Sequence, residues 1–332
     1  MMNDIKDWYK SGLPFVWLNA AAVAASIIMV LGLLILIAVR GLTHFWPHTV
    51  YEMTYMWDGQ EEVVIGEIHD KELVTVQQLR DAGIQLDTED EIVTRYLIKM
   101  GNRDVYGVDF RNIIKPLVKS RSIPKEVVVL ERHEYGNFYG FLKNVKQSGQ
   151  VIASGEASWE ALQPLLERVY RLHDEIKEIE KSEIGSVNYR IERLRLKERG
   201  LELDGKKTPE TVAELDAARA ALQEEYRVLE QRLVELYTEI KRDSLTAEVQ
   251  NGQVVEIPLD KIVKAFKPNA MGLFAKIGFY IGKLWEFVSD EPREANTEGG
   301  IFPAIYGTVI MVLVMSVMVT PLGIIAAVYL RE

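Results

Sequence analysis

From Ile301 to Leu330 the sequence carries no charged side chain. A helix of that length, rising about 1.5 Å per residue, more than covers the roughly 30 Å hydrocarbon core of a bilayer. A chain in lipid must satisfy its own backbone hydrogen bonds, so the stretch reads as a transmembrane helix at 301–330, and what precedes it folds tethered to a membrane. The stretch is punctuated by Gly299, Gly300 and Pro303 at its entry, Gly307 inside it, and Pro321-Leu322-Gly323 near its far end. Proline removes a backbone donor and can kink a helix, so a break is expected at Pro321. A plain lipid anchor has no use for a break. These six glycines and prolines are therefore candidates for shaping a pathway together with helices of a partner.

A second apolar run lies near the start. Leu13 to Val39 is uncharged and closed by Arg40, longer than the apolar core of a secretory signal and without an obvious cleavage site. It predicts a retained transmembrane helix at 15–39, after a polar segment at 1–14. Two spans around one long insert put the ends of the insert on the same side of the bilayer. Lys6, Lys10 and Arg331 against Arg40 lean toward both termini in the cytoplasm, which makes the insert extracytoplasmic.

The insert has two textures. Over 49–155 apolar residues mostly alternate, predicting strands at Glu61 to His69, Glu126 to Arg132, Phe138 to Val145 and Val151 to Ala153, and a hairpin of Ile92 to Met100 with Arg103 to Phe110 around Gly101-Asn102. Turns are expected at Tyr135-Gly136-Asn137 and Ser148-Gly149, and short helices at Thr75 to Ala82 and Arg111 to Lys119. Residues 156–242 are instead charge-dense with a helical period. Val212, Leu215, Leu222, Tyr226, Leu229, Leu233, Leu236 and Ile240 hold one heptad register broken only by Arg219. The preceding register, Leu162 to Ile179, slips near Gly185 and resumes at Ile184 and Val187. With Thr208 as N-cap and Pro209 after it, the two arms fold back as an antiparallel coiled-coil hairpin. A returning β-hairpin follows at 243–260 around Asn251-Gly252. At 264–290, Leu273, Phe274, Ile277, Tyr280, Ile281, Leu284, Trp285 and Val288 share a helix face; with lysines nearby this predicts an amphipathic helix in the membrane interface, capped by Asn269. The fold class is thus an α+β membrane protein, two transmembrane helices flanking an extracytoplasmic α+β domain with an inserted coiled-coil hairpin.

Composition narrows the chemistry. The formal charge of −10 argues against nucleic acid as a partner. Cysteine is absent, which removes disulfides and thiolate metal sites. His44 and His48 flank Pro47 with no carboxylate close by, and His69, His133 and His173 are scattered without a metal or nucleophile spacing, so no metal, cofactor or catalytic residue is expected. Glu61-Glu62 and Glu89-Asp90-Glu91 read as solvated acids in turns. No GxxxxGK[ST] loop occurs, so ATP would be bound by a separate subunit.

The run Asn296-Thr297-Glu298-Gly299-Gly300-Ile301-Phe302-Pro303-Ala304-Ile305-Tyr306-Gly307-Thr308, with Pro321-Leu322-Gly323-Ile324-Ile325-Ala326-Ala327-Val328-Tyr329-Leu330, resembles the entry to the core permease fold in the channel subunits of Pst-type phosphate ABC importers, most of all the A-type subunit. The match covers about a tenth of the chain. It implies a bacterial inner-membrane channel subunit, not itself an enzyme. The implied partners are a companion permease, a cytoplasmic ATPase dimer and a periplasmic phosphate-binding protein. Permeases of that family continue through further membrane helices and an ATPase-coupling helix, so the chain is expected to be the N-terminal portion of such a subunit. The alternative from the residues alone is a two-span membrane-anchored coiled-coil scaffold, with an extracytoplasmic sensor third.

Overall fold

The computed structural model describes residues 11–293 and 299–331. The polar segment expected at 1–14 lies mostly outside the described residues, as do Asn296, Thr297 and Glu298. The chain divides into two units, one formed by its ends with 272–292 and the other by 48–271 with the short segment from Arg293.

In the first unit, α1 (Leu13–Thr43) starts after Gly12, whose positive φ of 75° turns the chain into the helix. From Phe15 its side chains are exposed throughout, and the helix is long and apolar enough to cross a membrane. α8 (Phe302–Arg331) is likewise long and apolar enough to cross a membrane, and all but Ile305 of its side chains are exposed. The expected break at Pro321 is absent: α8 runs through it as one helix. A proline costs its own donor and crowds the carbonyl four residues back, but the remaining ladder on both sides can carry the helix past it. Between these helices in sequence, α7 (Leu273–Ser289) packs Tyr280 and Phe287 against Trp46 and Phe45, which follow α1, with ring centroids 5.8 and 4.9 Å apart. Its N-cap is Gly272. Asn269, expected there, instead serves strand β1 (Val50–Trp57): it accepts from the Val50 amide and donates to the Val50 and Pro124 carbonyls.

The second unit holds two antiparallel sheets. The first comprises β1, β2 (Gln60–Thr75), β3 (Ile92–Lys99), β4 (Phe110–Ile114) and β5 (Val118–Ser122). The second comprises β6 (Val127–Arg132), β7 (Phe138–Gln147), β8 (Gln150–Ser154), β9 (Asp243–Glu248), β10 (Val254–Pro258) and β11 (Ile262–Phe266). Tight two-residue turns with positive φ close the hairpins at Asp58-Gly59 and Ser148-Gly149, as type I′ geometry requires, and Tyr135-Gly136 takes positive φ within the longer loop between β6 and β7. The Glu61 to His69 strand is part of the longer β2, and the expected helix after it is α2 (Val76–Asp81), closed by a reciprocal Thr75–Gln78 capping box.

Two expectations fail beside each other. Arg103 to Phe110 does not form a strand over its length, because Gly101 and Asn102 both take positive φ and the chain then makes the helical turn α3 (Arg103–Tyr106). Asn102 is fixed there by two hydrogen bonds to the Tyr139 backbone, at 2.9 and 2.8 Å. Arg111 to Lys119 is not a helix but β4, a 3-10 turn at Lys115–Leu117 and the start of β5. Ile113, Ile114 and Val118 favour strand there, and Pro116 favours the turn.

The two sheets repeat one another. Their orders are β4-β3-β2-β1-β5 and β10-β9-β7-β6-β11, so in each the fifth strand returns antiparallel beside the first. A 3-10 turn, Lys115–Leu117 or Leu259–Lys261, joins the fourth strand to the fifth. The registers agree to the residue. Glu67 pairs with Lys99 and Ile68 with Ile98 before the ladder skips His69; Phe141 pairs with Glu248 and Leu142 with Ala247 before it skips Lys143. A second skip falls at Lys119 in β5 and at Val263 in β11. Gly66 and Gly140 occupy matching positions, where a Cβ would lie 2.3 Å from the Lys99 carbonyl oxygen and 2.8 Å from that of Glu248. The two sheets differ in the link from second strand to third, which holds α2 in one and β8 followed by a long helical arm in the other.

That arm is α4 (Ala157–Glu178), a π-helical turn (Ile179–Glu183), α5 (Ile184–Leu203) and α6 (Pro209–Ile240). The π turn falls where the apolar register slips. Thr208 caps α6 with Pro209 in its first turn. Bonds from Arg232 to Glu175, Arg190 to Glu225 and Arg219 to Glu198 step in opposite directions along the chain, so α6 runs antiparallel to α4 and α5. The base of the arm is part of a core: Leu162, Leu166, Val169, Leu236 and Ile240 pack with Phe138, Val145 and Leu245 of the second sheet, each nearly or fully buried. At about 1.5–3 kcal/mol per fully buried large apolar side chain, this contact holds α4 to the sheet. Farther out, Val187 and Leu215 are the buried apolar residues, and ion pairs on the surface dominate.

Candidate functional site

The sequence placed its candidates at Gly299, Gly300, Pro303, Gly307, Pro321 and Gly323. The structure groups the first three at the entry of α8. Gly299 has φ 95° and bridges to Pro292, and a Cβ on Gly300 would lie 2.2 Å from the Asp290 carbonyl oxygen. The Ile301 amide donates to Phe287 O at 2.8 Å, tying the entry to the end of α7. Gly299 and Gly300 thus serve a close backbone approach, for which the absence of a Cβ is enough reason. Pro303 stands in the first turn of α8, where its missing donor is harmless.

Gly307 and Gly323 face open space, with nothing within 4 Å of an added Cβ. Pro321 lies inside the helix between them. Thr308, Ser316 and Thr320 return their hydroxyls to carbonyls one turn back, as buried or lipid-facing hydroxyls do when no other acceptor is near. The structure therefore does not gather the six residues into one site. It leaves a glycine-bearing, largely apolar helix surface free to meet other helices.

The second unit contains polar clusters that sequence spacing did not announce. His133, just after β6, and His173, on α4, stand with ring centroids 5.1 Å apart. His173 Nε2 lies 2.9 Å from the Asp260 carbonyl oxygen in the 3-10 turn, and the His133 amide donates to Lys261 O at 3.0 Å. Burial, then the neighbouring His173 and Arg293, hold the His133 imidazole below its ordinary value, with Asp260 and Glu134 opposing. The cluster ties the arm to the turn between β10 and β11. Among the described residues no group of three His, Cys, Asp or Glu side chains is placed to hold a metal ion.

Near the first sheet, Arg111 bonds both Glu62 and Tyr55, and the Tyr55 hydroxyl donates to Glu62 at 2.7 Å. Burial and Glu62 push the Tyr55 phenol up to about 12, although Arg111 opposes them. Glu61 pairs with Lys119. Glu61 is exposed, as a solvated acid is expected to be, and Lys119 reaches it from β5, whereas Glu62 is half-buried and held by Arg111 of β4. They border a hollow of about 560 Å³ with Met100, Tyr106, Arg111 and Gln250. A second hollow, about 460 Å³, lies among Trp57, Val74, Leu79, Arg95 and Asn112. Neither brings together a nucleophile with a base. Asp243 is fully buried and held between Arg168 and Arg242 at 2.8 Å each, and Asp104, at the surface, meets the buried Arg132 through two 2.9 Å bonds. Each lies at a joint, the first where the arm returns to β9 and the second between α3 and β6, and each acts as a structural clamp.

Comparison of the chain with family models, with curated proteins and with solved structures finds no match.

Proposed function

We propose that the chain is part of the membrane channel subunit of an ATP-driven phosphate importer of the bacterial inner membrane, with its β module and arm on the extracytoplasmic side. The observation that carries this reading is the sequence at the entry and far end of α8, Gly299 to Thr308 and Pro321 to Leu330, which resembles the permease entry of Pst-type importers. It is supported by α1 and α8, both long and apolar enough to cross a membrane, and by the open faces at Gly307 and Gly323, which suit close helix packing by a companion subunit. In this reading α4 to α6 form an antiparallel coiled-coil hairpin outside the membrane. The exposed stripe of α7, with Phe274, Ile281 and Trp285, lies in the membrane interface.

The chain performs no reaction in this reading. ATP is hydrolysed by a cytoplasmic ATPase dimer, and phosphate arrives on a periplasmic binding protein. Neither 15–39 nor 302–330 carries an Arg or Lys, so the cationic contacts to phosphate come from other membrane helices. The test is co-expression with companion permease, ATPase and binding protein in cells lacking their own phosphate permeases. The chain is expected to purify with the ATPase, and Gly307→Leu with Gly323→Leu to reduce that recovery at least tenfold. A chain recovered free of permease and ATPase would sink the reading.

One observation favours a membrane-anchored scaffold as the second reading: α6 is 32 residues long and reaches well past the buried contacts of the β module. Recovery of the chain with a different protein bound through the arm, and without an ATPase, selects it.

A further inference from the structure

The hollow of about 460 Å³ on the first sheet joins an apolar floor to a rim of opposite charges. Val74, Leu79 and Ile114 are buried beneath it, and Trp57, 40% exposed, borders it as a bare aromatic surface. At the rim Glu72 of β2 pairs across the ladder with Arg95 of β3, and their side chains bond at 2.5 Å. These side chains are 60% and 34% exposed, so the ion pair holds little stability and opens at small cost. Asn112, on the edge strand β4, and Gln78 of α2 border the same hollow. Within the described residues the Asn112 carboxamide, the Gln78 side-chain NH2 and the Trp57 indole N–H have no hydrogen-bond partner.

The second sheet shows that the fold does not require this arrangement. By strand register Glu72, Arg95 and Asn112 match Lys146, Ser244 and Glu256. There Glu256 accepts from Lys146 at 2.6 Å and from Ser244 at 2.7 Å, so the polar groups close on one another. In the first sheet the same positions leave a cation, an anion and spare amide donors above an apolar floor.

We propose that this hollow binds a free amino acid with an apolar side chain. Arg95 takes the carboxylate, with Asn112 and Gln78 as further donors, and Glu72 takes the ammonium group. The side chain lies on the floor beside Trp57. A zwitterion compensates both members of the opened ion pair, whereas a simple carboxylate or a simple amine leaves one of them opposed. The space falls within the roughly 300–1,000 Å³ of small-molecule sites. The proposal uses no part of the phosphate reading and stands or falls separately from it.

The probes are radiolabelled L-leucine and L-phenylalanine, in equilibrium dialysis against the full-length chain in lipid nanodiscs. Saturable binding of one molecule per chain is expected for at least one of them. Leucine without its ammonium group (4-methylpentanoate) and without its carboxylate (3-methylbutylamine) are each expected to compete at least tenfold more weakly, as is glycine, which lacks the apolar side chain. Arg95→Gln is expected to weaken binding at least tenfold. The combination Glu72→Lys, Arg95→Ser and Asn112→Glu copies the closed polar set of the second sheet into the first, and is expected to abolish binding with the circular dichroism unchanged. Failure of both probes to saturate up to about 10 mM, binding undiminished in the triple variant, or 4-methylpentanoate competing as well as leucine would each overturn the proposal.

Discussion

Gly66 and Gly140 show what a single residue decides here. Each lets a neighbouring strand approach closer than any side chain allows, and because the Lys99 carbonyl is held in the ladder it cannot retreat. Gly66→Ala is expected to cost roughly 1–3 kcal/mol, read as a lower denaturation midpoint, whereas Gly185→Ala, in open space on the arm, is expected to be neutral or mildly stabilising. His133 makes a prediction about pH. Its imidazole is held below the ordinary value by burial, His173 and Arg293, against Asp260 and Glu134, with Lys261 and Glu131 also close to the cluster. The unfolded chain therefore binds a proton that the folded chain refuses. The contribution is fully present above about pH 6.5 and is lost as pH falls from there through the folded value. His133→Gln is expected to flatten this acid slope of unfolding free energy, and an unchanged slope would assign it to other groups. Neither site was legible in the sequence. Forty residues separate His133 from His173, and the matching of Gly66 with Gly140 emerges only once the strands are paired.

Among the elements, the arm divides into a part that belongs to the core and a part that does not. Leu236→Ala, at a fully buried position of α6 facing α4, is expected to cost about 2–5 kcal/mol. Arg190→Ala breaks an exposed ion pair farther out and is expected to cost less than about 1 kcal/mol. Equal effects in chemical denaturation would contradict this division. The long helix α6 was legible in its apolar spacing, and the π turn at Ile179–Glu183 lies beside the expected slip in the register of the preceding helix. The hairpins at Ser148-Gly149 and Asn251-Gly252 were legible from turn chemistry. What was not legible lay where a tertiary contact outweighs the local pattern. Asn102 is pinned to the Tyr139 backbone, which turns an expected strand into α3, and β4 has a strand identity that comes from pairing with β3. Pro321 misled in the other direction, since one missing donor does not end a helix of 30 residues. The candidates at Gly299 and Gly300 were found for their composition, but the structure explains them by the closeness of α7 to the start of α8.

At the scale of the molecule, the second sheet accepts the arm between two strands that are already partners. Gln147 of β7 pairs with Asp243 of β9, and the whole arm departs and returns around that pair. Replacing 188–228 by a short turn removes only the thinly packed portion, and the β module is expected to unfold within about 1 kcal/mol of the parent. Joining 147 directly to 243 removes α4 as well and uncovers Phe138, Val145 and Leu245, so that variant is expected to aggregate or melt far lower. If the second deletion proved as stable as the first, the assignment of α4 to the core would be wrong. The repeated strand order also means that the first sheet folds the same pattern with only α2 at the corresponding link, a built-in example of the module without an arm. The arm itself is a lever. α6 spans about 48 Å at 1.5 Å per residue, on a footing about 8–10 Å wide set by helix packing. A sideways pull at Leu203 therefore reaches β7 and β9 multiplied roughly fivefold, as opposed push and pull on neighbouring strands, unless the π turn yields first.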